Sequence, residues 1–306
     1  MNLGVIINPF AGRRPSRWRA DALRSALSPL GIEVTVRVTA ARGDAQRFAT
    51  ELAPRADALA VIGGDGTVHE AVNGIMSRPI PIAVIPSGSG NDLASLVDCP
   101  RTPRDLGAVL ERGWAAELDV LDFGDRFCVN SAGLGFEGLV NRLSHRLARS
   151  AGHLRYAAAL IQAMASVKCP HFTIVTSAGD EISGEKLLVS IGNGRRTGGA
   201  FYITPDAFPD DGLIDICVID PMSRARMLWI MPRVFDGSHI RHPEVHMLRA
   251  ESLTVEARGA YPMHIDGEFF EAAPNLRRIT VRPRALKVMC NPSTHNKLAM
   301  GLKKVL

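Results

Sequence analysis

No two of the five cysteines (Cys99, Cys128, Cys169, Cys217 and Cys290) stand in a CxxC pair, and their number is odd. That argues against a disulfide framework or a zinc site and for a reducing compartment, so a cytoplasmic protein is expected. The opening MNLGVIINPF lacks a basic stretch followed by a long apolar one, and no secretory signal is read there. The longest mostly apolar stretch, 156–167, contains Gln162 and Ser166 and is too short to span a bilayer. Repeats and low-complexity linkers are missing. So are GxxxxGKS/T and GxGxxG, the usual P-loop and dinucleotide fingerprints.

What is present is a chain of 306 residues, 46% of them apolar, enough for a sizeable core in one large domain or two ordinary ones. The formal charge of +5 suits an acidic partner such as phosphate or an anionic membrane surface. It is far below a histone-like balance, and no nucleic-acid partner is expected.

The first third alternates. Leu3–Ile7, Glu33–Val38, Ala58–Ile62 and Ile82–Ile85 read as strands. Arg17–Leu27, Asp44–Leu52, Val68–Ile75 and Asn91–Leu96 read as helices. Repeated strand–helix units with short connections predict a parallel sheet covered on both faces, with ligands at the carboxyl ends of its strands. Beyond residue 120 the pattern changes. Strands Glu117–Phe123 and Arg126–Ser131 flank Gly124-Asp125, and a helical stretch runs from Glu137 to Val167 with a break near Gly152. Five further strands are read between His171 and Ile265 and a last one at Arg278–Val281. The expected organisation is an α/β nucleotide-binding domain over 1–125 and a β-rich domain over 126–290. The tail 291–306 either closes the second domain or returns to the first.

Two glycine loops follow successive strands. GGDGT, 63–67, leaves Ala58–Ile62 through Gly63 and Gly64, which can adopt angles closed to other residues and leave room for a ligand. Thr67 with Glu70 is the pattern of a capping box for the next helix, whose amino end favours an anion. Asp65 would repel a bound phosphate unless it holds a metal, a sugar hydroxyl or a cation. Ser87-Gly-Ser-Gly-Asn-Asp92 repeats the strand, glycine turn and polar N-cap. Asn8-Pro9 with Gly12, Arg13 and Arg14 makes a third anion-friendly segment.

Taken in order, Asn8-Pro9 with Gly12, GGDGT and PSGSGND at 86–92 resemble the catalytic domain of the diacylglycerol kinase and sphingosine kinase superfamily. Asn130-Ser-Ala-Gly-Leu-Gly-Phe136 resembles its glycine-rich segment between domains. Asn193, Gly198, Gly199, Pro205, Ala207 and Asp210-Asp211-Gly212-Leu213 resemble its second-domain signature, and His264-Ile-Asp-Gly-Glu268 its DGE motif. The match runs from about residue 3 to about residue 290. It implies an ATP-binding α/β domain, like that of NAD kinases and phosphofructokinases, followed by a β-sandwich.

By this similarity Asn8, Pro9, Gly12, Arg13, Gly63, Gly64, Gly66, Thr67, Ser87, Gly88, Ser89 and Asn91 hold the nucleotide, and Asp65 lies at the active site with magnesium. Asp266 matches the family's general base, with Glu268 beside it. A structural magnesium site is implied at Asp211 with carbonyls near Phe208 and Leu213, linked through water to Asp92 and Asp119. The second loop reads GSGND where bacterial members often have GTxND. The hydroxyl at Ser89 is kept, and the substrate is left open. The implied activity is ATP- and Mg-dependent phosphorylation of a lipid hydroxyl, with diacylglycerol the leading substrate. The partners are a lipid and, transiently, the inner membrane surface, and a homodimer is admitted. An NAD kinase-like enzyme and a nucleotide- or lipid-sensing module without catalysis are the alternatives. On 137–155, Leu139, Leu143 and Leu147 fall four apart, with Arg142, His145, Arg146 and Arg149 largely on another face. This stretch lies either on an anionic surface or against its own domain with a solvated basic face.

Overall fold

The computed structural model describes residues 1–12, 20–146, 153–272, 276–292 and 294. The chain divides into two compact units, one of Met1–Val120 with the described residues from Pro283 onward, the other of Leu121–Arg282.

In the first unit, β1 (Asn2–Ile7), β2 (Glu33–Val38), β3 (Ala58–Gly63) and β4 (Ile82–Pro86) form a parallel sheet in the order β2-β1-β3-β4. Buried on both faces, β3 reads as an unbroken apolar run. Leu3, Val5, Ile7, Ala60 and Ile62 pack with Leu23 and Leu27 of α1 (Ala20–Leu27) and with Leu106 and Leu110 of α5 (Pro103–Arg112). The alternate residues Ile6, Leu59 and Val61 are equally buried. The connecting helices are α2 (Asp44–Leu52), α3 (Asp65–Ile75) and α4 (Asp92–Leu96). α5 carries a capping box, with the Thr102 side chain accepting from Asp105 N–H and Asp105 reaching back to the Thr102 amide.

The chain enters the second unit along β5 (Ala115–Asp122) and leaves it along β16 (Leu276–Met289), whose last residues pair in parallel with β4, Val288 opposite Ile82. The final strand is therefore far longer than Arg278–Val281, because beyond Pro283 it gains a partner in the first unit's sheet. Of the tail 291–306 only Asn291, Pro292 and Thr294 are described. Asn291 N–H donates to Asp98 O (2.8 Å), and Thr294 Oγ1 accepts from Asp98 N–H (2.8 Å).

The second unit is antiparallel. β6 (Phe127–Cys128) pairs with the end of β5. One sheet runs β12 (Val245–Ala250), β11 (Ile214–Ile219), β10 (Leu188–Gly192), β7 (Ser131–Gly135), β14 (Tyr261–Ile265), β15 (Glu268–Ala272). A second pairs β9 (Glu181–Glu185) with β8 (His171–Thr176), β8 with β13 (Ser252–Arg258), and β13 with the start of β16. Alternate residues of both, including Ala132, Leu134, Phe172, Ile174, Val189, Ile216, Val255 and Met263, form one core, as facing sheets require. The long helical stretch is two helices, α6 (Phe136–Arg146) and α7 (His153–Ser166). Leu139 and Leu143 are buried with Ala159 and Ala163. Leu147, Arg149 and the side chains of His145 and Arg146 lie outside the described residues. Arg142 lies 3.8 Å from Glu271 and over the Phe269 ring.

Candidate functional site

Because β1, β3 and β4 are parallel neighbours, the loops that follow them emerge at one sheet edge. Backbone bonds fasten them there: Asn8 N–H to Ile62 O and Ser87 N–H to Gly63 O, both 2.9 Å. Asn8 ties the first loop to the second, its Nδ2 donating to Thr67 Oγ1 (2.8 Å) while its Oδ1 accepts from Phe10 N–H (2.9 Å).

The glycines serve this interlock. Gly63 and Gly64 keep φ out of the left-handed region, and Gly64 has φ −101°. Their need is space. A Cβ on Gly63 would fall 2.5 Å from Thr67 Cβ. On Gly88 it would fall 2.5 Å from Gly64 Cα, and on Gly64 2.9 Å from Gly88 Cα, so the two loops cross backbone against backbone. Gly12, at φ 79°, packs against the Ser87 carbonyl. Arg13 and Arg14 lie outside the described residues.

α3 begins at Asp65, and its N-cap Gly64 contributes no side-chain bond, so the expected Thr67–Glu70 capping box is not formed. The reason is that both side chains are engaged elsewhere. Thr67 Oγ1 accepts from Asn8, and Glu70 accepts from Gly43 N–H (2.8 Å) and Ala45 N–H (3.1 Å) at the start of α2. The first α3 backbone bond is Val68 N–H to Gly64 O (3.1 Å), and the leading amides of a helix have no carbonyl within it to bond. Asp65 braces the second glycine loop, its carboxylate accepting from Asn91 N–H (2.8 Å) and Asp92 N–H (2.6 Å). Asn91 holds that loop from within. It is in the left-handed region (φ 53°), which asparagine tolerates, and its amide both accepts from Gly88 N–H and donates to Gly88 O at 2.9 Å. Asp92 is buried, as is Asp119, which accepts from Arg284 N–H (2.7 Å).

In the second unit Asp266-Gly267 is the two-residue loop between β14 and β15, with Ile265 opposite Glu268. Both loop residues have positive φ, 48° and 81°, as a type I′ turn demands. The turn delivers the Asp266 carboxylate into a ring of donors: Val129 N–H (2.9 Å), Asn130 N–H (2.8 Å), Ser131 N–H (3.2 Å) and the Cys128 thiol (3.3 Å). Burial, then the adjoining carboxylate, push that thiol well above its ordinary range, so it stays a donor. Asn193 holds the 129–130 backbone from the other side, its Nδ2 donating to Val129 O (2.7 Å) and its N–H to Asn130 O (2.8 Å). The motif residues 128–131, 193 and 264–268 are thereby brought together.

A buried pair that sequence reading passed over fixes the turn from behind. His264 Nε2 bonds Glu137 Oε1 (2.9 Å), and His264 Nδ1 accepts from Gly267 N–H (3.3 Å). Both bonds exist together when the ring carries its proton on Nε2. Asn141 Nδ2 donates to Gly267 O (2.8 Å). Gly133 leaves the space Glu137 fills, since a Cβ there would collide with the carboxylate. Glu137→Ala is expected to lower turnover about tenfold and stability by about 1–3 kcal/mol, the cost of an abandoned buried donor. Glu137→Gln, which keeps an oxygen for His264, restores both. Equal losses in the two variants, read from turnover and melting, would show that the bond to His264 is not what matters.

At Asp210-Asp211-Gly212 the carboxylate expected beside a cation already faces one. Asp211 Oδ2 is 2.6 Å from Arg249 Nη2, and Asp211 Oδ1 accepts from Leu213 N–H (3.1 Å). Arg249 Nε lies 3.2 Å from Asp215, its cross-strand partner. Among the described residues no group of three or more His, Cys, Asp or Glu side chains is placed to hold a metal ion. The Asp211 carboxylate, expected beside the Phe208 and Leu213 carbonyls at a magnesium, is here paired with Arg249.

Burial, aided by Asp211 and opposed by Arg249, pushes Asp215 up to about 6 from 3.8. The folded form then binds a proton the unfolded chain has released. The group's contribution to stability is full below about pH 4 and is lost as pH rises through 6, a change of about 3 kcal/mol. Asp215→Asn should match the parent near pH 4 and melt higher by a few degrees, roughly, at pH 7.5. A difference that does not vary with pH would contradict this.

Two family profiles match the chain: "Diacylglycerol kinase catalytic domain" over residues 2–123 and "YegS C-terminal NAD kinase beta sandwich-like domain" over 130–290. Among curated proteins, a diacylglycerol kinase of Mycobacterium tuberculosis is 31% identical over 292 residues, covering 93% of this chain and 94% of its own. Among solved structures, a diacylglycerol kinase from Bacillus anthracis superposes with a TM-score of 0.69 at 20% identity, covering 96% and 98% of the two chains. Yeast NADH kinase superposes with a TM-score of 0.52 at 12% identity, covering 100% of this chain and 87% of that one. These two structures speak to the fold alone. Both expected fold types, a parallel α/β sheet and an antiparallel sandwich, are thus found.

Proposed function

The chain belongs to the diacylglycerol kinase family and is a lipid kinase, and on that footing we propose that it transfers the γ-phosphoryl group of MgATP to the free hydroxyl of diacylglycerol. The observation that carries this reading is the interlock of the three loops after β1, β3 and β4 around the amino end of α3. Aligned amides and a helix dipole suit phosphate oxygens. Asn8, Gly12, Gly63, Gly64, Gly66 and Thr67 with Ser87–Asn91 form the donor half of the reaction. Asp65 acts chiefly by locking the Asn91-Asp92 amides. Magnesium, arriving with the nucleotide, offsets charge on the phosphates, as suits an ion bound through substrate oxygens more than through a protein cage.

Asp266 and Glu268 form the acceptor half. The lipid oxygen bonds to the γ-phosphorus as the bond to ADP breaks, and the hydroxyl proton passes to a carboxylate. Asp266 already accepts three amide bonds and one thiol bond, so its role is to align the hydroxyl more than to pull its proton away. A loose phosphoryl-transfer transition state asks for that alignment first.

The test is transfer of labelled γ-phosphate from MgATP to diacylglycerol, phosphatidylglycerol, ceramide and sphingosine in mixed micelles, with NAD as a soluble control. Label on diacylglycerol is the expected result. Label on NAD alone would move the chain to the NAD kinase reading, and label on another lipid would correct the substrate.

A further inference from the structure

The second unit carries an apolar face that the site does not use. α8 (Arg224–Ile230) reads RARMLWI and continues into a 3-10 turn over Met231–Val234. Its inner side, Met227, Ile230, Met231 and Val234, is buried or partly buried, three of these packing with Ile219, Cys217 and Val245. The outer side is also apolar. Leu228 is 59% exposed, Trp229 48% and Phe235 52%. Leu228 and Trp229 lie on α8 and Phe235 just past the 3-10 turn, where its ring also meets that of Phe201 at 4.9 Å. A helix that is apolar all round belongs in a core, and one whose outer flank is open marks a contact surface.

Trp229 is held in place. Arg233 stacks over the indole at 3.8 Å and donates to the Trp229 carbonyl (2.6 Å), Arg226 lies over it at 4.6 Å, and the His242 ring meets it edge-on at 4.9 Å. Arg226 is fixed in turn by two bonds to Glu244. Between Met222 and His242 the chain carries four arginines, Arg224, Arg226, Arg233 and Arg241, against one acid, Asp236. Arg224 and Arg241 are exposed. A fixed tryptophan with leucine and phenylalanine at the tip and arginines around it is the pattern of an interfacial anchor on anionic lipid. A second copy of the chain is a poorer occupant, because the same arginines would face each other.

We propose that the α8 face docks the protein on an anionic bilayer, with Leu228, Trp229 and Phe235 entering the headgroup region and Arg224, Arg233 and Arg241 meeting lipid phosphates. The proposal rests on the lipid-kinase reading, since an enzyme whose substrate resides in a bilayer has to reach it. It places the contact on α8 instead of the basic stretch 137–155, whose Leu139 and Leu143 are buried and whose Arg142 lies beside Glu271.

The test is sedimentation with sucrose-loaded vesicles of phosphatidylcholine alone or with about a third phosphatidylglycerol, a fraction high enough for basic residues to discriminate. In parallel, turnover is read on a short-chain diacylglycerol in free solution. The parent protein is expected to bind the anionic vesicles, less so at high salt. Leu228→Gln with Trp229→Ala should weaken that binding at least about tenfold, and Arg224→Glu with Arg241→Glu should remove the preference for anionic lipid. Short-chain turnover and melting should be unchanged in both. Vesicle binding that survives both variants, or a parent that binds no vesicle, would overturn the proposal. So would self-association that the α8 variants abolish while vesicles are ignored. Turnover without vesicle binding would sink the docking surface alone, whereas vesicle binding without turnover on any lipid would sink the kinase reading and leave the surface standing.

Discussion

Gly88→Ala is expected to cut kcat/KM for ATP by about a hundredfold or more while leaving the second unit folded. The new methyl carbon would sit 2.5 Å from Gly64 Cα and 3.1 Å from Asn91 Oδ1. Backbone atoms cannot rotate aside, so the loops after β3 and β4 have to part. Parting them strains the Ser87 N–H bond to Gly63 and the pair of Asn91 bonds to Gly88, and it draws Asn91 and Asp92 from the Asp65 carboxylate. A displacement of about 1 Å at a phosphate-positioning group can cost a hundredfold. Gly88 has no left-handed φ to lose, so the effect is one of space and not of backbone angle. ATP titration with steady-state kinetics checks it. Near-normal ATP kinetics would mean that the loops do not need this contact to bind nucleotide.

Asp266→Asn carries the second large effect, a fall in kcat of about a thousandfold with KM for ATP within about threefold of the parent. Losing the carboxylate that aligns the hydroxyl and then receives its proton costs roughly 10² to 10⁴. The amide adds a second injury. It can turn its NH₂ toward the N–H groups of Val129, Asn130 and Ser131, which donated only to carboxylate oxygens before. Melting and ATP binding, measured alongside, separate a lost acceptor from a loosened 128–131 segment. Retention of a tenth or more of the activity would hand the acceptor role to Glu268, and Glu268→Gln would then be the more damaging change.

The strands of the first unit were legible because doubly buried parallel strands are plain apolar runs, and Glu33–Val38 and Asp44–Leu52 stand as read. The two glycine loops were legible as neighbours for the same reason. Their glycines read as room for a ligand, and Gly64 and Gly88 also make room for each other, which only the crossing of chains 24 residues apart reveals. Thr67 and Glu70 have the spacing of a capping box, yet their partners, Asn8 and the start of α2, lie far along the chain. The Asp-Gly pair is the one local signal for the hairpin that holds Asp266. Nothing local ties it to residues 128–131, some 136 positions earlier. Arg249 meets Asp211 across 38 residues, an ion pair with no local signal in the sequence. α8 carries no motif, and a sequence does not say which apolar flank of a helix is left open.

The most direct test of the central claim is hydrogen–deuterium exchange at backbone amides, with and without MgATP. Slowed exchange confined, within the first unit, to 8–12, 63–68 and 87–92 is the predicted result. Unchanged exchange in all three loops at saturating nucleotide, or protection that falls elsewhere in that unit, would contradict the assignment of these loops to the phosphates.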